Sequence, residues 1–339
     1  RRRTYSVVIE VNRTLIKPTT CSTSAGTDIY ICSRPIQLLN ILNIAQSGKI
    51  NSVNGYLMIV GNFIVDKITK SKITKHYDYL FKGVYFFKSQ NEILDSIDFK
   101  VERLLTYSDV GEEGLFIRNI NPSMVVIYEE GYAAYHLTFA YSILSKIKFK
   151  IKKKSVYIGG SPITDELVIY HPDVYSKIHR MHASSLISSF RWTLNQVLKY
   201  NKNQFYDIFN YEKIVFFRKS TVLLYLLGDP STTVDFLIDL LKKNNNYDHL
   251  LIKKHPGFCY SQVADRLNNL ENVSFIESNI PVEYIVYDCF ISGALLDLYH
   301  ETSTTAIYMK KYIKNIVEID TNNSNFKKKY RKAYKMFDG

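Results

Sequence analysis

Residues 247–257 are the part of the sequence that most restricts the fold. There, a short apolar run is followed by Lys253, Lys254, His255 and Pro256, and then by a glycine. The run has the length of a buried strand in a parallel sheet, and His-Pro-Gly neither continues a strand nor begins a helix well. The pattern predicts a strand with basic side chains at its carboxyl end, where open α/β sheets bind ligands. Taken alone, it also fits a strand that ends at a surface turn.

Strand and helix patterns alternate on both sides of this stretch. The predicted strands cover residues 28–32, 55–60, 83–87, 124–128, 167–170, 222–227, 250–252 and 273–276. The predicted helices cover residues 36–45, 67–80, 133–144, 232–243, 260–270, 281–287 and 306–309. Such alternation argues for parallel sheets, and a long helical region over residues 176–210 separates two arrays. The sequence therefore predicts an α/β protein with two Rossmann-like domains, residues 1–205 and 206–339, that face one cleft.

Polar residues stand at the predicted ends of two further elements. Glu129 and Glu130, followed by a glycine, come directly after the fourth predicted strand. Four hydroxyl residues at positions 302–305 precede the last predicted helix. Hydroxyls at a helix start are capping residues by default, but the free N–H groups and the helix dipole there also favour an anion.

Two similar sequences compete with these motifs. Glu112-Glu113-Gly114 repeats the acidic motif, but a glycine rather than a strand precedes it, so we interpret it as a surface loop. His171-Pro172 repeats the histidine motif, but neither a glycine nor a clear helix start follows it. His255 is therefore the better candidate for a functional histidine.

The two predicted domains together supply the groups for one reaction. One domain offers a carboxylate, and the other offers a histidine, lysines and hydroxyls. If the two domains face one cleft, the carboxylate can act as a base for an incoming hydroxyl, and the cationic groups can bind the departing phosphate. This combination suits glycosyl transfer from a nucleotide sugar. No DxD-like motif stands at a predicted strand end, so we expect His255 and lysine, rather than a metal ion, to neutralise the phosphate. The absence of a P-loop and of GxGxxG makes kinases, NTPases and dinucleotide oxidoreductases poor candidates.

The motifs resemble those of bacterial sialyltransferases with the GT-B fold. Members of that family carry a [DE]-[DE]-G motif in the first Rossmann-like domain, and an HP motif and a serine/threonine pair in the second. Here Glu129-Glu130-Gly131, His255-Pro256 and Ser303-Thr304 match them in that order. Residues 32–37 are similar to the family's proline-glutamine turn after the first strand, and residues 280–283 add a further likeness.

The resemblance implies an inverting, metal-independent transfer of sialic acid from CMP-sialic acid, without a cofactor. Glu130, or failing it Glu129, would be the general base that deprotonates the acceptor hydroxyl. His255 would bind and protonate the leaving phosphate. The other matched residues would bind the nucleotide, and they are Lys253, Pro256, Gly228, Glu283, Ser303 and Thr304.

The excess of basic residues bears on the acceptor. Forty-four Lys plus Arg against 32 Asp plus Glu leave a net charge of +12, which favours a polyanionic partner. Within the family, this balance most resembles a capsular polysialyltransferase, which elongates polysialic acid, and a lipooligosaccharide sialyltransferase is the alternative. The acceptor-binding candidates are Lys146, Lys148, Lys150, Lys70 and Lys72. The alternating lysines from position 146 onward also fit a solvated edge strand.

Two features of the sequence bear on location. No apolar run reaches the roughly 18 residues of a spanning helix, and no signal peptide precedes the fold. Four scattered cysteines without a CxxC motif fit a reducing compartment. We therefore expect a cytoplasmic enzyme at the inner membrane, in peripheral contact with its anionic surface or with a capsule export machinery.

Two other functions stay open. One is a different nucleotide-sugar transferase of the same architecture, with a UDP- or GDP-linked donor. The other is a basic nucleic-acid-binding protein, which the pI of about 9.2 and the many aromatic residues permit. The basic residues are spread over many segments without a recognised binding motif, so we expect no nucleic-acid partner.

Overall fold

Two parallel β-sheets organise the chain, one in each half. The computed structural model describes residues 26–50, 52–61, 66–135, 157–179, 186–228, 230–243, 246–255, 259–270, 273–276, 279–301, 303–319 and 337. Within these ranges, helices connect successive strands and cover the sheets, as parallel pairing requires.

Seven strands of the first sheet lie in the described residues. They are β1 (Thr27–Cys32), β2 (Gly55–Val60), β3 (Gly83–Phe87), β4 (Val101–Thr106), β5 (Met124–Tyr128), β6 (Glu166–Ile169) and β7 (Leu186–Ser189). Their order is β3-β2-β1-β4-β5-β6-β7, and all pairs are parallel. β1, β2 and β5 are buried along almost their whole length, which explains their continuous apolar sequences.

In the described part of this half, six α-helices accompany the sheet. They are α1 (Pro35–Gln46), α2 (Lys67–Tyr77), α3 (Gln90–Leu94), α4 (Glu112–Ile120), α5 (Pro172–His179) and α6 (Leu194–Ile208). Local sequence sets their starts. Pro35 stands in the first turn of α1, where its fixed φ suits the helix, and Thr193 with Gln196 forms a capping box at α6.

The part of the second half that the structure describes contributes five strands to the second sheet. They are β8 (Thr221–Leu227), β9 (His249–Lys254), β10 (Val273–Ile276), β11 (Leu295–His300) and β12 (Asn315–Glu318). Their order is β10-β9-β8-β11-β12, again all parallel. The helices of this half are α7 (Pro230–Lys243), α8 (Ala264–Asn268), α9 (Val282–Ser292) and α10 (Thr304–Tyr308).

The strand order reverses beside the first strand of each sheet. The switch lies between β1 and β4 in the first sheet and between β8 and β11 in the second. Open α/β sheets form a ligand-binding crevice at the carboxyl ends of the strands at such a point. Arg34 follows β1, Gly228 follows β8 and Glu301 follows β11, so these residues stand beside the two crevices.

The two halves are joined through α6 and α9. The Asp288 carboxylate is fully buried there, with Lys202 Nζ 2.6 Å from Oδ1 and the Tyr206 hydroxyl donating to Oδ2. The rings of Phe205 and Tyr284 pack beside this group at a centroid distance of 5.2 Å. Removing Lys202 would leave an uncompensated buried charge, which is strongly destabilising. The predicted division at residue 205 falls inside α6, and it stays a prediction.

Several sequence predictions about elements were wrong or incomplete. The helical region predicted over 176–210 is interrupted by β7, which pairs with β6 although its short serine-rich sequence has little strand signal. Glu112-Glu113 is not a loop but the first turn of α4, where acidic side chains favour the helix dipole. β4, β11 and β12 were not predicted, and in β4 Glu102 and Arg103 break the apolar run. No clear helix start was expected after His171, yet α5 begins at Pro172.

Other predictions held to within a few residues. The strands predicted at 55–60, 83–87, 124–128 and 273–276 have the predicted bounds. The predicted helix at 281–287 continues to Ser292, as α9. Of the helix predicted at 133–144, a 3₁₀ turn at Tyr132–Tyr135 is described, and the rest lies outside the described residues. None of the helices in the described ranges combines the length and apolar character needed to span a bilayer.

Candidate active site

The acidic motif and the hydroxyl motif meet across the cleft. Glu129 and Glu130 lie at the carboxyl end of β5, and Gly131 follows with a φ of 125°, a conformation that favours glycine. A Cβ atom placed on Gly131 would lie 3.2 Å from Oγ1 of Thr304, which belongs to the other half of the chain. The fold therefore brings together two motifs that are far apart in sequence.

Glu130 is the carboxylate that faces the cleft. Its side chain is 16% exposed, and Oε1 lies 3.3 Å from Nη1 of Arg34. Gln37, one turn further on in α1, donates from Nε2 to the same oxygen at 3.3 Å. Burial raises the pKa of Glu130, the Glu113 carboxylate adds to that effect, and Arg34 and Gln37 oppose it. A partly accessible carboxylate with a raised pKa suits a general base.

Glu129 points into the protein instead. It is fully buried, and its Oε2 accepts hydrogen bonds from the Tyr135 hydroxyl at 2.6 Å and from the Tyr170 N–H at 2.7 Å. Burial raises its pKa to about 8, although these two hydrogen bonds oppose the shift. Asn40 donates to its backbone carbonyl at 2.7 Å. Glu129 thus holds the loop in place, and the geometry favours Glu130 over Glu129 as the base.

His255 lies directly after β9, at the carboxyl edge of the second sheet. The backbone N–H of His255 donates to the Leu227 carbonyl and to the Tyr260 hydroxyl, both at 3.1 Å. The Tyr260 hydroxyl in turn donates to the carbonyls of Leu227 and Gly228 at 2.7 and 2.8 Å. Tyr260 therefore ties the end of β9 to the end of β8. This residue was not among the predicted site residues, since nothing local in sequence marks it.

Arg34 connects the two catalytic candidates electrostatically. It pairs with Glu130, and it also acts on His255 in the other half of the chain. Desolvation lowers the pKa of His255, and the positive charges of Arg34 and Lys253 lower it further. The segment of Arg34 and Gln37 is similar to the family's proline-glutamine turn, but neither residue was predicted to belong to the site. Their position directly after the first strand was the available signal.

Lys253, Glu283 and the hydroxyl run form a second, more buried group. Glu283 is 5% exposed, and its Oε1 accepts a hydrogen bond from the Thr305 hydroxyl at 2.7 Å. Burial raises the pKa of Glu283, with Thr305 and Lys253 opposing the shift. Thr305 was not predicted to be a site residue. The Thr305 hydroxyl contacts Glu283 of the second domain, whereas the neighbouring Thr304 faces Gly131 of the first domain.

Ser303 is the N-cap of α10, as the default interpretation of the hydroxyl run expects. Its Oγ accepts from the Thr305 N–H at 3.2 Å. Gly228 faces the Glu301 side chain, since a Cβ placed on Gly228 would lie 2.8 Å from Oε2 of Glu301. Any larger residue at position 228 would therefore displace Glu301 at the switch point.

The competing motifs lie near the site but contribute differently. Glu113 at the start of α4 is close enough to raise the pKa of Glu130, so it is not remote from the site as a separate surface loop would be. His171 packs between aromatic rings, with centroids 5.7 Å from Tyr308 and 5.1 Å from Phe337. Burial lowers its pKa. His171 thus lines the contact between the halves as a packing residue.

The predicted acceptor-binding lysines are only partly described. Lys70 and Lys72 lie on α2, where Lys70 Nζ stands 5.5 Å from the Phe86 ring centroid. Lys72 is already engaged, since its Nζ lies 3.0 Å from Asp207 Oδ1. Pro256, Lys146, Lys148 and Lys150 lie outside the described residues. Within the described ranges, His, Cys, Asp and Glu form no group of three that could hold a metal ion.

Comparison with known proteins identifies the fold. No family model and no curated protein matches the chain. Among solved structures, a Listeria monocytogenes protein assigned as a UDP-N-acetylglucosamine 2-epimerase superposes with a TM-score of 0.54 at 10% identity, over 94% of this chain and 89% of its own. The GT-B domain of a Photobacterium damselae sialyltransferase superposes with a TM-score of 0.54 at 11% identity, over 92% and 95%. The chain therefore has the GT-B fold, with two Rossmann-like domains that face a central cleft.

Proposed function

We propose that the protein is an inverting, metal-independent sialyltransferase that uses CMP-sialic acid and elongates the polysialic acid of a bacterial capsule. The observation that carries this proposal is that Gly131, beside Glu130 in the first domain, lies against Thr304 of the second, while Arg34 pairs with Glu130 and acts electrostatically on His255. The likeness of this chain to the GT-B domain of a solved sialyltransferase supports it. The resemblance of the motifs to those of bacterial sialyltransferases is the reason for proposing CMP-sialic acid as the donor.

The proposed reaction has one displacement step. Glu130 takes the proton of the acceptor hydroxyl, whose oxygen attacks the anomeric carbon of sialic acid from the face opposite the nucleotide. The bond between that carbon and the phosphate oxygen breaks as the new glycosidic bond forms. His255 gives its proton to the departing phosphate, so CMP leaves without building up an extra charge. The two catalytic groups act from opposite sides of the cleft.

The second domain would hold the nucleotide. Ser303 and Thr304 offer hydroxyls to the phosphate, and Lys253 offers a positive charge near it. Glu283 would accept from a ribose hydroxyl, and its Oε1 also accepts from the Thr305 hydroxyl. Gly228 keeps the end of β8 free of a side chain, and Pro256 completes the proposed nucleotide-binding set.

The proposed acceptor and the proposed location are both inferred from the net charge of the protein. A net charge of +12 favours a chain of carboxylates as acceptor and an anionic inner membrane as neighbour. Lys70 and Lys72, with Lys146, Lys148 and Lys150, are the proposed acceptor contacts. A capsule export machinery is a further proposed neighbour on the same grounds.

A nucleotide-sugar enzyme with a UDP-linked substrate is the second candidate function. The observation that favours it is the equally high TM-score of the Listeria structure, which is assigned to UDP-N-acetylglucosamine chemistry. The two candidates share the fold and the cleft, and they differ in the base and sugar that the second domain recognises. Nucleotide selectivity therefore separates them.

Thermal stabilisation by nucleotides tests the donor class. Addition of CMP without metal should raise the melting temperature, because a ligand that binds only the folded state stabilises it by mass action. UDP, GDP and AMP at the same concentration should raise it much less. Stabilisation by UDP or GDP but not CMP would discard the sialyltransferase proposal. Salt-sensitive binding of DNA or RNA without any nucleotide effect would instead favour the nucleic-acid alternative.

Arg34→Gln should move both limbs of the pH–rate profile to higher pH. The rate requires ionised Glu130 and protonated His255, and the positive charge of Arg34 lowers both pKa values. Its loss lets both pKa values rise, so both limbs of kcat/KM should shift up, by as much as about one pH unit. Arg34→Lys keeps the charge and should leave the limbs close to their original positions. A uniform loss of rate without displacement of the limbs would contradict this electrostatic role.

A further inference from the structure

A cluster of exposed apolar side chains lies on the second domain, far from the candidate active site. The apolar patch consists of Val215, Phe217, Phe290, Ile291 and Leu295. Val215 and Phe217 are 64% and 70% exposed, and the other three are 39% to 49% exposed. Grouped apolar residues of this size on a protein surface usually mark an interaction site.

Backbone contacts bring the members of the apolar patch together. The segment 211–220, which contains neither helix nor strand, lies against the end of α9 and the start of β11. The Lys219 N–H donates to the Gly293 carbonyl, and the Leu295 N–H donates to the Ser220 carbonyl, both at 2.8 Å. The two sequence segments of the patch therefore form one surface.

The segment also has an inward anchor. Phe216, between the two exposed apolar residues, is buried, and its ring meets His249 edge to face at a centroid distance of 5.3 Å. Phe216 thus fixes the segment by packing inward, while its neighbours Val215 and Phe217 stay exposed.

Basic residues surround the apolar patch. Lys213, Arg218 and Lys219 are exposed on the same segment. On the other side, Tyr312 packs on Phe290 at a centroid distance of 4.4 Å, and the exposed residues beside it in sequence are Lys310, Lys311 and Lys314. Lys314 is tied to the patch, since its N–H donates to the Leu296 carbonyl at 2.8 Å. The exposed acidic residues nearby are Glu212 and Asp248, and the Asp248 carboxylate is bound by Thr221.

The apolar patch lies at the amino ends of the strands of the second sheet. Segment 211–220 leads into β8, Leu295 begins β11, and Lys314 precedes β12. The catalytic candidates lie at the carboxyl ends, one strand length away, which is about 20 Å for six residues. Contact at the patch would therefore leave the cleft open.

We propose that the apolar patch docks the second domain on an anionic lipid surface. Phenylalanine and aliphatic side chains would enter the boundary between headgroups and acyl chains, and the basic residues around them would meet anionic headgroups. Charge complementarity favours this occupant. Against a second copy of the chain, the two basic surroundings would face each other and repel. The inference stands apart from the proposed reaction, since it uses none of the catalytic candidates.

Vesicle sedimentation with the full chain tests the proposal. The protein should sediment with vesicles of phosphatidylglycerol and phosphatidylcholine, and much less with phosphatidylcholine alone. Val215→Ser with Phe217→Ser should weaken binding to the mixed vesicles at least about tenfold, because two exposed apolar side chains are removed. Arg218→Gln with Lys219→Gln should weaken it about fivefold per charge, and added salt should reduce the difference from wild type.

A matched control pair distinguishes the patch from surface apolarity in general. Tyr79 and Leu115 are 64% and 45% exposed on the first domain, so Tyr79→Ser with Leu115→Ser should bind vesicles like wild type. Equal binding by the Val215/Phe217 variant, or equal loss in the control pair, would overturn the proposal. A dimer of the wild type that the Val215/Phe217 variant dissociates, in light scattering, would assign the patch to self-association instead. Thermal stabilisation by CMP should be the same in all variants, so the donor class is tested separately.

Discussion

Glu130→Gln is expected to lower kcat for sialyl transfer by about 10² to 10⁴ while CMP binding and the melting temperature stay close to wild type. The amide keeps the size of the side chain and an oxygen for Arg34 and Gln37, but it cannot take a proton. The carboxylate lies at the surface of the cleft, so its replacement leaves no buried charge without a partner. Initial rates with CMP-sialic acid and a sialylated acceptor, with nucleotide binding measured separately, check this result.

Glu129→Gln is the matched control for this experiment. Because burial raises the pKa of Glu129 to about 8, its carboxyl carries a proton at neutral pH. An amide therefore replaces an already uncharged group, and the folded variant should keep most of its activity. Among the described residues, the Oε1 atom of Glu129 has no hydrogen-bond partner, so an amide nitrogen there would stay unsatisfied and lower the melting temperature. If Glu129→Gln lost as much rate as Glu130→Gln at an unchanged melting temperature, Glu129 would be the base.

The sequence could identify the acidic motif but could not choose between its two glutamates. Both follow the same strand, and local patterns place them equally well. Their environments come from distant segments, since Tyr135 and Tyr170 enclose Glu129 while Arg34 and Gln37 reach Glu130. Only the three-dimensional arrangement gives one carboxylate a buried position and the other a place on the cleft.

The sequence of α1 contains a pattern that points to the site, although none of its residues was predicted to belong there. The helix is buried along residues 37–45, yet Gln37, Asn40 and Asn43 recur in it at intervals of three. Residues at this spacing lie along one side of a helix, and buried amides need hydrogen-bond partners. They donate to Glu130, to the Glu129 carbonyl and to the Trp192 carbonyl. A polar row on a buried helix thus pointed to the loop that holds the candidate base.

Two of the strands that were not predicted, β7 and β4, owe their form to tertiary contacts. β7 has the sequence Leu186-Ile187-Ser188-Ser189 and forms because β6 offers a parallel partner at the edge of the sheet. β4 carries Arg103, which lies in the sheet because it pairs with the buried Asp28 of β1, Nη2 to Oδ2 at 3.1 Å. In both strands the neighbouring strand supplies what the local sequence lacks. Strong apolar strands such as β2 and β5 need no such help, and their bounds were predicted.

His255→Ala is expected to lower kcat about 10² to 10³ without loss of folding, because it removes both the proton donor and a positive charge from the leaving phosphate. The residue is exposed and takes part in the fold through its backbone N–H, which alanine retains. The alkaline limb of the pH–rate profile should disappear, since the limb reports deprotonation of this imidazole. Imidazole in the buffer should restore part of the rate, because the space left by the ring is open to solvent.

His171→Ala is the control histidine, and the two variants should fail in different ways. His171 packs against Tyr308 and Phe337 between the halves, so its loss should lower the melting temperature. Its folded fraction should retain most of the activity and the alkaline limb. Full activity in His255→Ala would remove the leaving-group role from that residue. If the alkaline limb vanished in His171→Ala instead, the proton would come from the first domain, and the second domain would serve only to hold the nucleotide.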